Sequence, residues 1–343
     1  MNSNVLIIMR TLITSGIFQW QKHTYDGRIF VFLCLAMSVS LNISSASGVL
    51  LPPLKAPTIP EVPARKTVPL LDASKTEKLS AHIWMIPGYP NIPIIVGKKA
   101  VLVVDTGLGN PAAHVITEEV ERLAPGKPLY LTTTHFHPEH TAGFGGFPSG
   151  TKLLRPSIQE NELNADKGRM LERFRIHNAE ALSKADYGKP ELFKNEKTLD
   201  LGDVHARIFW AGPAHTYGDT LVYVPEDRAL VTGDVVQNLA TPTFLGGNIG
   251  PEEWLHTLQI FAPLKPKLVI PDHSPPGPGE KLISDEEAFM MALITETYEA
   301  KKSSLSEDDS VEKVTTALHA QFPDWIMNPL TKDGIRRVWK RKA

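Results

Sequence analysis

The sequence predicts an α/β protein in four layers: two β-sheets packed face to face, with helices on both outer faces. Short runs rich in β-branched residues alternate with helical patterns along residues 75–343. These runs fall into two series, each with its own helices, and two such series bury their apolar faces best against each other. Ligand-capable side chains also recur where the runs end, which is where a layered α/β fold carries its functional loops.

In the first series, HIWMI (82–86), IPIIVG (92–97) and KAVLVVD (99–105) are bounded by Gly, Pro or Asn and read as strands. Residues 111–124 read as a helix, with Asn110 as its cap and Pro111 at the first helical position. LYLTTT (129–134) is a buried strand, and THFHPEH (134–140) leaves from its end. Residues 157–186 are helical in character, with charge on one face. The second series has strands HARIFWAG (205–212), TLVYVPE (220–226), RALVTGD (228–234) and KLVIPDH (267–273), with a helix at 251–262. Residues 284–304, 310–321 and 331–340 close the domain as helices.

Of 343 residues, 42% are hydrophobic and 22% charged, and the formal net charge is -2. That is ordinary globular usage without a basic footprint for nucleic acid. Near the N-terminus, Arg28 precedes the apolar run IFVFLCLAMSVSL (29–41), and small residues follow at Ser44 and Ala46. A positive flank, an apolar core and a small-x-small site make a secretory signal peptide. The run falls short of the roughly 20 residues that span a bilayer. Residues 1–46 are therefore expected to be cleaved after Ala46, giving a periplasmic or secreted chain with no stable membrane insertion. The stretch before the run is long for a signal peptide, and a start at Met9 would shorten it. Cys34, the only cysteine, lies in this segment, so the mature chain has no disulfide and no thiolate ligand. Residues 47–74 are proline-rich and read as an extended arm, leaving 75–343 as one domain.

THFHPEH concentrates the chemistry. His135 and His137, at i and i+2 on a loop, can aim two imidazoles at one point. A distant third histidine would complete the three-ligand set of a catalytic zinc. Glu139 and His140 turn the other way and, with one more histidine, would hold a second metal, with a carboxylate such as Asp234 bridging. One metal lowers the pKa of a bound water to about 7, and two roughly 3.5–4 Å apart hold a hydroxide and polarise the bond under attack. No GxSxG motif occurs, so a serine nucleophile lacks support. The glycines of AGFGGF (142–147) have neither the Walker lysine nor the GxGxxG spacing of a phosphate loop.

THFHPEHTAG resembles the HxHxDH metal loop of the metallo-β-lactamase superfamily. VVDTG (103–107), AHTYGDT (214–220), VTGD (231–234) and PDH (271–273) follow in that family's order, over roughly residues 80–275. The resemblance implies an αβ/βα four-layer sandwich of two mixed sheets. By position it implies His135, His137 and His215 as ligands of a first metal, and Glu139, His140 and His273 as ligands of a second. Asp234 would bridge them, and Asp105 would support the ligand histidines from behind. Two divalent ions are implied, zinc foremost, with iron or manganese compatible with the oxygen ligands. Tyr217 is a candidate hydroxyl donor to a developing oxyanion, and Phe136, Phe144, Phe147, Trp210 and Phe244 are candidate pocket aromatics beside it.

Two departures from the family pattern shape the expected reaction. Asp234 stands where the family's β-lactamases carry cysteine or serine, which leaves β-lactam hydrolysis as at most a side activity. Glu139 stands where the signature has aspartate. It would bind the second metal from a loop set further back, act as a general base on the metal-bound water, or leave a weak second site and a mononuclear enzyme. The expected function is an exported metal-dependent hydrolase, a metal-bound hydroxide attacking a small ester, lactone, thioester, phosphodiester or sulfate ester. The alternatives are a mononuclear iron oxidoreductase resembling the persulfide dioxygenases, and a metal-binding protein without catalysis.

Overall fold

The structure, a computed structural model, describes residues 71–245 and 248–341, together with the backbone of a short antiparallel pair, β1 (His23–Tyr25) and β2 (Arg28–Phe30). Apart from that pair, the expected signal peptide and the arm as far as residue 70 lie outside the described residues. Packing begins ahead of residue 75: Leu71 is buried and bridges Gly88.

Among the described residues, one sheet runs in chain order through β3 (Glu77–Lys78), β4 (Ile83–Ile86), β5 (Ile92–Val96), β6 (Val101–Val104), β7 (Leu129–Thr132), β8 (Lys152–Pro156) and β9 (Glu191–Phe193). The other runs through β10 (Glu196–Asp200), β11 (His205–Trp210), β12 (Thr220–Val224), β13 (Ala229–Gly233), β14 (Leu268–Pro271) and β15 (Gly277–Pro278). Both sheets are mixed. In the first, β6, β7, β8 and β9 pair in parallel and the earlier pairs are antiparallel. In the second, β13–β14 is the parallel pair among antiparallel ones.

Side-chain alternation sorts each strand between two cores. Leu102 and Val104 of β6 pack between the sheets with Ile208, Val222, Val231 and Ile270. Val101 and Val103 point the other way, onto Ala112, Ile116 and Val120 of α1 (Gly109–Leu123). Between α1 and the second sheet come a short α2 (Pro138–Thr141), then α3 (Ser157–Asp166) and α4 (Arg169–Asn178). Leu230 and Val269 face Trp254, Leu258 and Phe261 of α5 (Pro251–Phe261). The same core takes in α6 (Gly279–Lys302), α7 (Glu307–Gln321) and α8 (Thr331–Lys340), with Phe289 and Trp325 stacked at 5.1 Å between ring centroids.

Four expectations change. Asn110 is not the cap of α1. The helix already starts at Gly109, whose positive φ of 74° and close approach to the Ala181 carbonyl (2.1 Å from an added Cβ) only glycine tolerates. The helical stretch 157–186 is two helices, broken where Lys167 and Gly168 take φ of 53° and 78°. Strands β8, β9 and β10 fall where no strand was expected. The first closing helix starts at Gly279, not 284. Among the described residues no helix is long and apolar enough to cross a membrane.

Candidate metal centre

Parallel pairing sets the site. Strands β6 and β7 run the same way, so their C-terminal ends meet at one edge and deliver Asp105 and the Thr134–His140 loop together. Strands β13 and β14 do the same in the second sheet and deliver Asp234 and His273. The two edges are joined: Thr220 N donates to Thr134 O at 2.7 Å, and Asn91 N donates to Asp272 O at 2.7 Å. Gly233 makes the approach feasible. Its φ is 59°, and an added Cβ would lie 2.8 Å from Thr134 Cβ.

His135, His137 and His215 converge as expected. His135 Nε2 and His215 Nε2 lie 3.0 and 3.2 Å from His137 Nδ1, and all three rings are buried. His215 Nδ1 donates to the Thr243 carbonyl at 2.8 Å, which leaves a lone pair on Nε2. Three imidazole nitrogens converging in this way are the donor set of a divalent metal. Burial, then the neighbouring imidazoles, hold His135 and His137 well below the usual histidine pKa. Burial also lowers His215. All three are thus neutral at physiological pH, the form that ligates.

Glu139, His140 and His273 form the second set. Pro138 opens α2, and this single turn carries Glu139 and His140 past the first set toward His273. Among the described residues His140 Nε2 is buried without a hydrogen-bond partner, 3.8 Å from Glu139 Oε1. Its Nδ1 donates to Asp105 Oδ2 at 2.9 Å. Burial works against a charge on His140, but Asp105, Asp272 and Glu139 outweigh it and hold the pKa well above normal. That acidic surround suits a cation facing Nε2 as well as it suits a proton. Asp234 stands between the sets, with Oδ2 3.4 Å from His215 Nε2 and Oδ1 3.2 Å from His273 Nε2. It also gathers with His135 and His140. The residues therefore gather into two neighbouring donor sets of the kind that divalent metal takes, with Asp234 near both.

Asp105 holds the site from behind. It accepts from Thr134 N at 2.6 Å and Thr134 Oγ1 at 2.9 Å besides His140, and its backbone takes the left-handed region, φ 72°. Asp272, which the sequence pattern did not single out, supports the same ring. Its Oδ2 is 3.3 Å from His140 Nδ1 and accepts from Thr134 Oγ1 at 3.1 Å. Burial and the nearby Asp105 push Asp272 up to about 6. Its signal was its place beside His273 at a strand end. Two buried amides also escape a reading of the sequence. Asn91 Nδ2 donates to Pro271 O and Ser274 O, tying the β4–β5 loop to the His273 loop. Gln159 of α3 ties Thr133 to Gly218 and Thr220. Tyr217 is exposed at the rim and lines a cavity with Phe136. Phe144, Phe147 and Phe244 pack into the cores instead.

A model of the metallo-beta-lactamase superfamily matches residues 85–273. A metallo-beta-lactamase type 2 of Elizabethkingia meningoseptica is 23% identical over 174 residues, 48% of this chain and 63% of that protein. The 2,4-dinitroanisole O-demethylase subunit alpha of Nocardioides sp. (strain JS1661) is 25% identical over 207 residues, 58% of this chain and 57% of that one. The chain thus spans less than two thirds of the length of both curated relatives. Among solved structures, a metallo-beta-lactamase from Pontibacter korlensis aligns with TM-score 0.51 at 19% identity, over 64% of this chain and 99% of that one. The sec-alkylsulfatase Pisa1 from Pseudomonas sp. aligns with TM-score 0.60 at 15% identity, over 78% of this chain and 50% of that one. At such identities these structures speak for the fold. With the family match extending over more than half of its length, the chain belongs to the metallo-beta-lactamase superfamily.

Proposed function

We propose that this protein is an exported, dinuclear metal-dependent hydrolase of a small ester-like substrate. The observation that carries the reading is Asp234, within 3.4 Å of His215 Nε2 on one side and 3.2 Å of His273 Nε2 on the other. Two divalent ions held there, zinc foremost, would supply a water of pKa about 7 and a Lewis acid for the bond under attack. The chain's own residues do the rest. His135, His137 and His215 bind as neutral imidazoles. Asp234, which faces both sets, would orient the attacking water, and Glu139 would complete the second set. Asp105 and Asp272 keep the hydrogen of His140 on Nδ1. Tyr217, at the rim, offers its hydroxyl to the developing oxyanion. A carboxylate at position 234 in place of a thiolate or hydroxyl supports ester-type substrates over β-lactams.

Protein from metal-replete expression should carry close to two equivalents of metal by elemental analysis. It should hydrolyse at least one member of a panel of esters, lactones, thioesters, phosphodiesters and sulfate esters, and a chelator should abolish that activity. Less than one equivalent of metal removes the dinuclear reading; a single iron with oxygen uptake replaces it with an oxidoreductase. Export rests on the N-terminal pattern, and protein recovered from the periplasmic fraction should begin at Ser47.

A further inference from the structure

A cavity of about 460 Å³ opens beside the first ligand set, a volume suited to a small ligand. Phe136, which separates His135 from His137 in the chain, forms part of its wall, and the Phe136 ring lies 4.8 Å from the His137 ring. Glu162, Ala165 and Asp166 of α3 and Arg169, Met170 and Arg173 of α4 supply more of its lining. Phe174 of α4 lies 6.3 Å from the same His137 ring, so this helix borders the metal centre.

The charges lining the cavity are mostly committed. Glu162 accepts from the backbone N–H groups of Tyr217 and Gly218 at 3.0 and 2.7 Å. Asp166 accepts from Met170 N at 2.9 Å and pairs with Arg169 at 3.6 Å. Arg173 differs: it lines the cavity, is exposed, and has no ion pair or hydrogen bond among the described residues. Phe136, Met170 and Leu245 supply apolar lining beside it.

We propose that Arg173 sets substrate specificity by binding an anionic group that the substrate carries away from its reacting bond. The substrate class is then an amphiphilic anion: a short alkyl or aryl body against Phe136, Met170 and Leu245, and a carboxylate or sulfonate on the fork of Arg173. A planar guanidinium pairs with either group through two parallel hydrogen bonds. This rests on the ester-hydrolase reading for the reaction, not for the binding.

The test has two arms, both on the metal-loaded protein. In the first, isothermal titration compares hexane-1-sulfonate, a weak metal ligand, with hexan-1-ol. Wild type should bind the sulfonate about tenfold more tightly, Arg173→Gln should lose that preference, and Arg173→Lys should recover part of it. In the second, 4-nitrophenyl hydrogen glutarate is compared with 4-nitrophenyl pentanoate. Wild type should show a KM about tenfold lower for the anionic ester, and Arg173→Gln should bring the two together. Arg173→Glu should reverse the preference toward a cationic choline-type ester. Sulfonate binding that depends on Arg173 without turnover of either ester leaves the anion site standing and sinks the ester reading. Turnover with the same anionic preference in wild type and Arg173→Gln overturns the anion site, as does an equal loss on both esters.

Discussion

His140 donates its Nδ1–H to Asp105 Oδ2 at 2.9 Å, and neither side chain has any exposed surface. That bond fixes the ring's tautomer and aims Nε2 at Glu139 and His273. Partners of this kind typically contribute 10–100-fold to metal affinity. Asp105→Ala should therefore weaken the second metal about 10–100-fold and leave the first set, which Asp105 does not touch, much less affected. Stepwise metal titration reads the two affinities separately; equal weakening of both would point to general loosening of the loop.

Glu139 and His140 occupy the one turn of α2, and Glu139 Oε1 is 3.8 Å from His140 Nε2. Glu139→Asp should keep or improve second-metal affinity, because aspartate restores the spacing of the family's loop. Glu139→Ala should reduce bound metal toward one equivalent. Unchanged metal content in the alanine variant removes Glu139 from the ligand set.

Gln159 is fully buried, and its Nε2 donates to Thr133 O at 2.9 Å and Thr220 Oγ1 at 3.1 Å. Gln159→Ala leaves the buried acceptors Thr133 O and Thr220 Oγ1 without this donor, at a cost of about 1–3 kcal/mol. Chemical denaturation should show that loss. Gln159→Glu should be at least as damaging, since it removes the donor and adds a buried charge; a glutamate variant of wild-type stability would contradict the assigned bonds.

Glu286 of α6 is fully buried, its Oε2 accepts from Gln237 N at 3.2 Å, and its Oε1 has no hydrogen-bond partner among the described residues. Burial raises its pKa well above the usual 4.5, so the folded state holds this proton more tightly than the unfolded state. The associated stability is fully present below about 4.5 and declines as pH rises toward the folded-state value. Glu286→Gln carries no charge to bury. Its melting temperature should exceed that of wild type at pH 8–9 by an amount worth about 1–3 kcal/mol, and the gap should close toward pH 5. Parallel melting curves across that range would count against a raised pKa.

The strands that carry the ligands were legible because they are buried and apolar, as VLVV of β6 and LVIP of β14 show. Strand β10 was not, because EKTLD is an edge strand with mostly polar, exposed positions. Strand β8 hid behind Arg155, a charged residue that is buried because Glu160 and the Tyr187 carbonyl pair with it. Local sequence cannot announce a partner that lies 32 residues away.

By itself the sequence determined the two β-rich halves, and it pointed to the histidines and to the carboxylates Glu139, Asp234 and Asp105 that the fold gathers at one site. Spacing along one loop and residue type at strand ends are local properties, and they are written in the chain. Tertiary structure alone decided that Asp272 joins Asp105 behind His140, that Asn91 and Gln159 bind the loops together, and that Arg173 faces the cavity beside His137. These are contacts between segments far apart in the chain. They exist only once the apolar faces of the two sheets have packed against each other and brought the strand ends to a common edge.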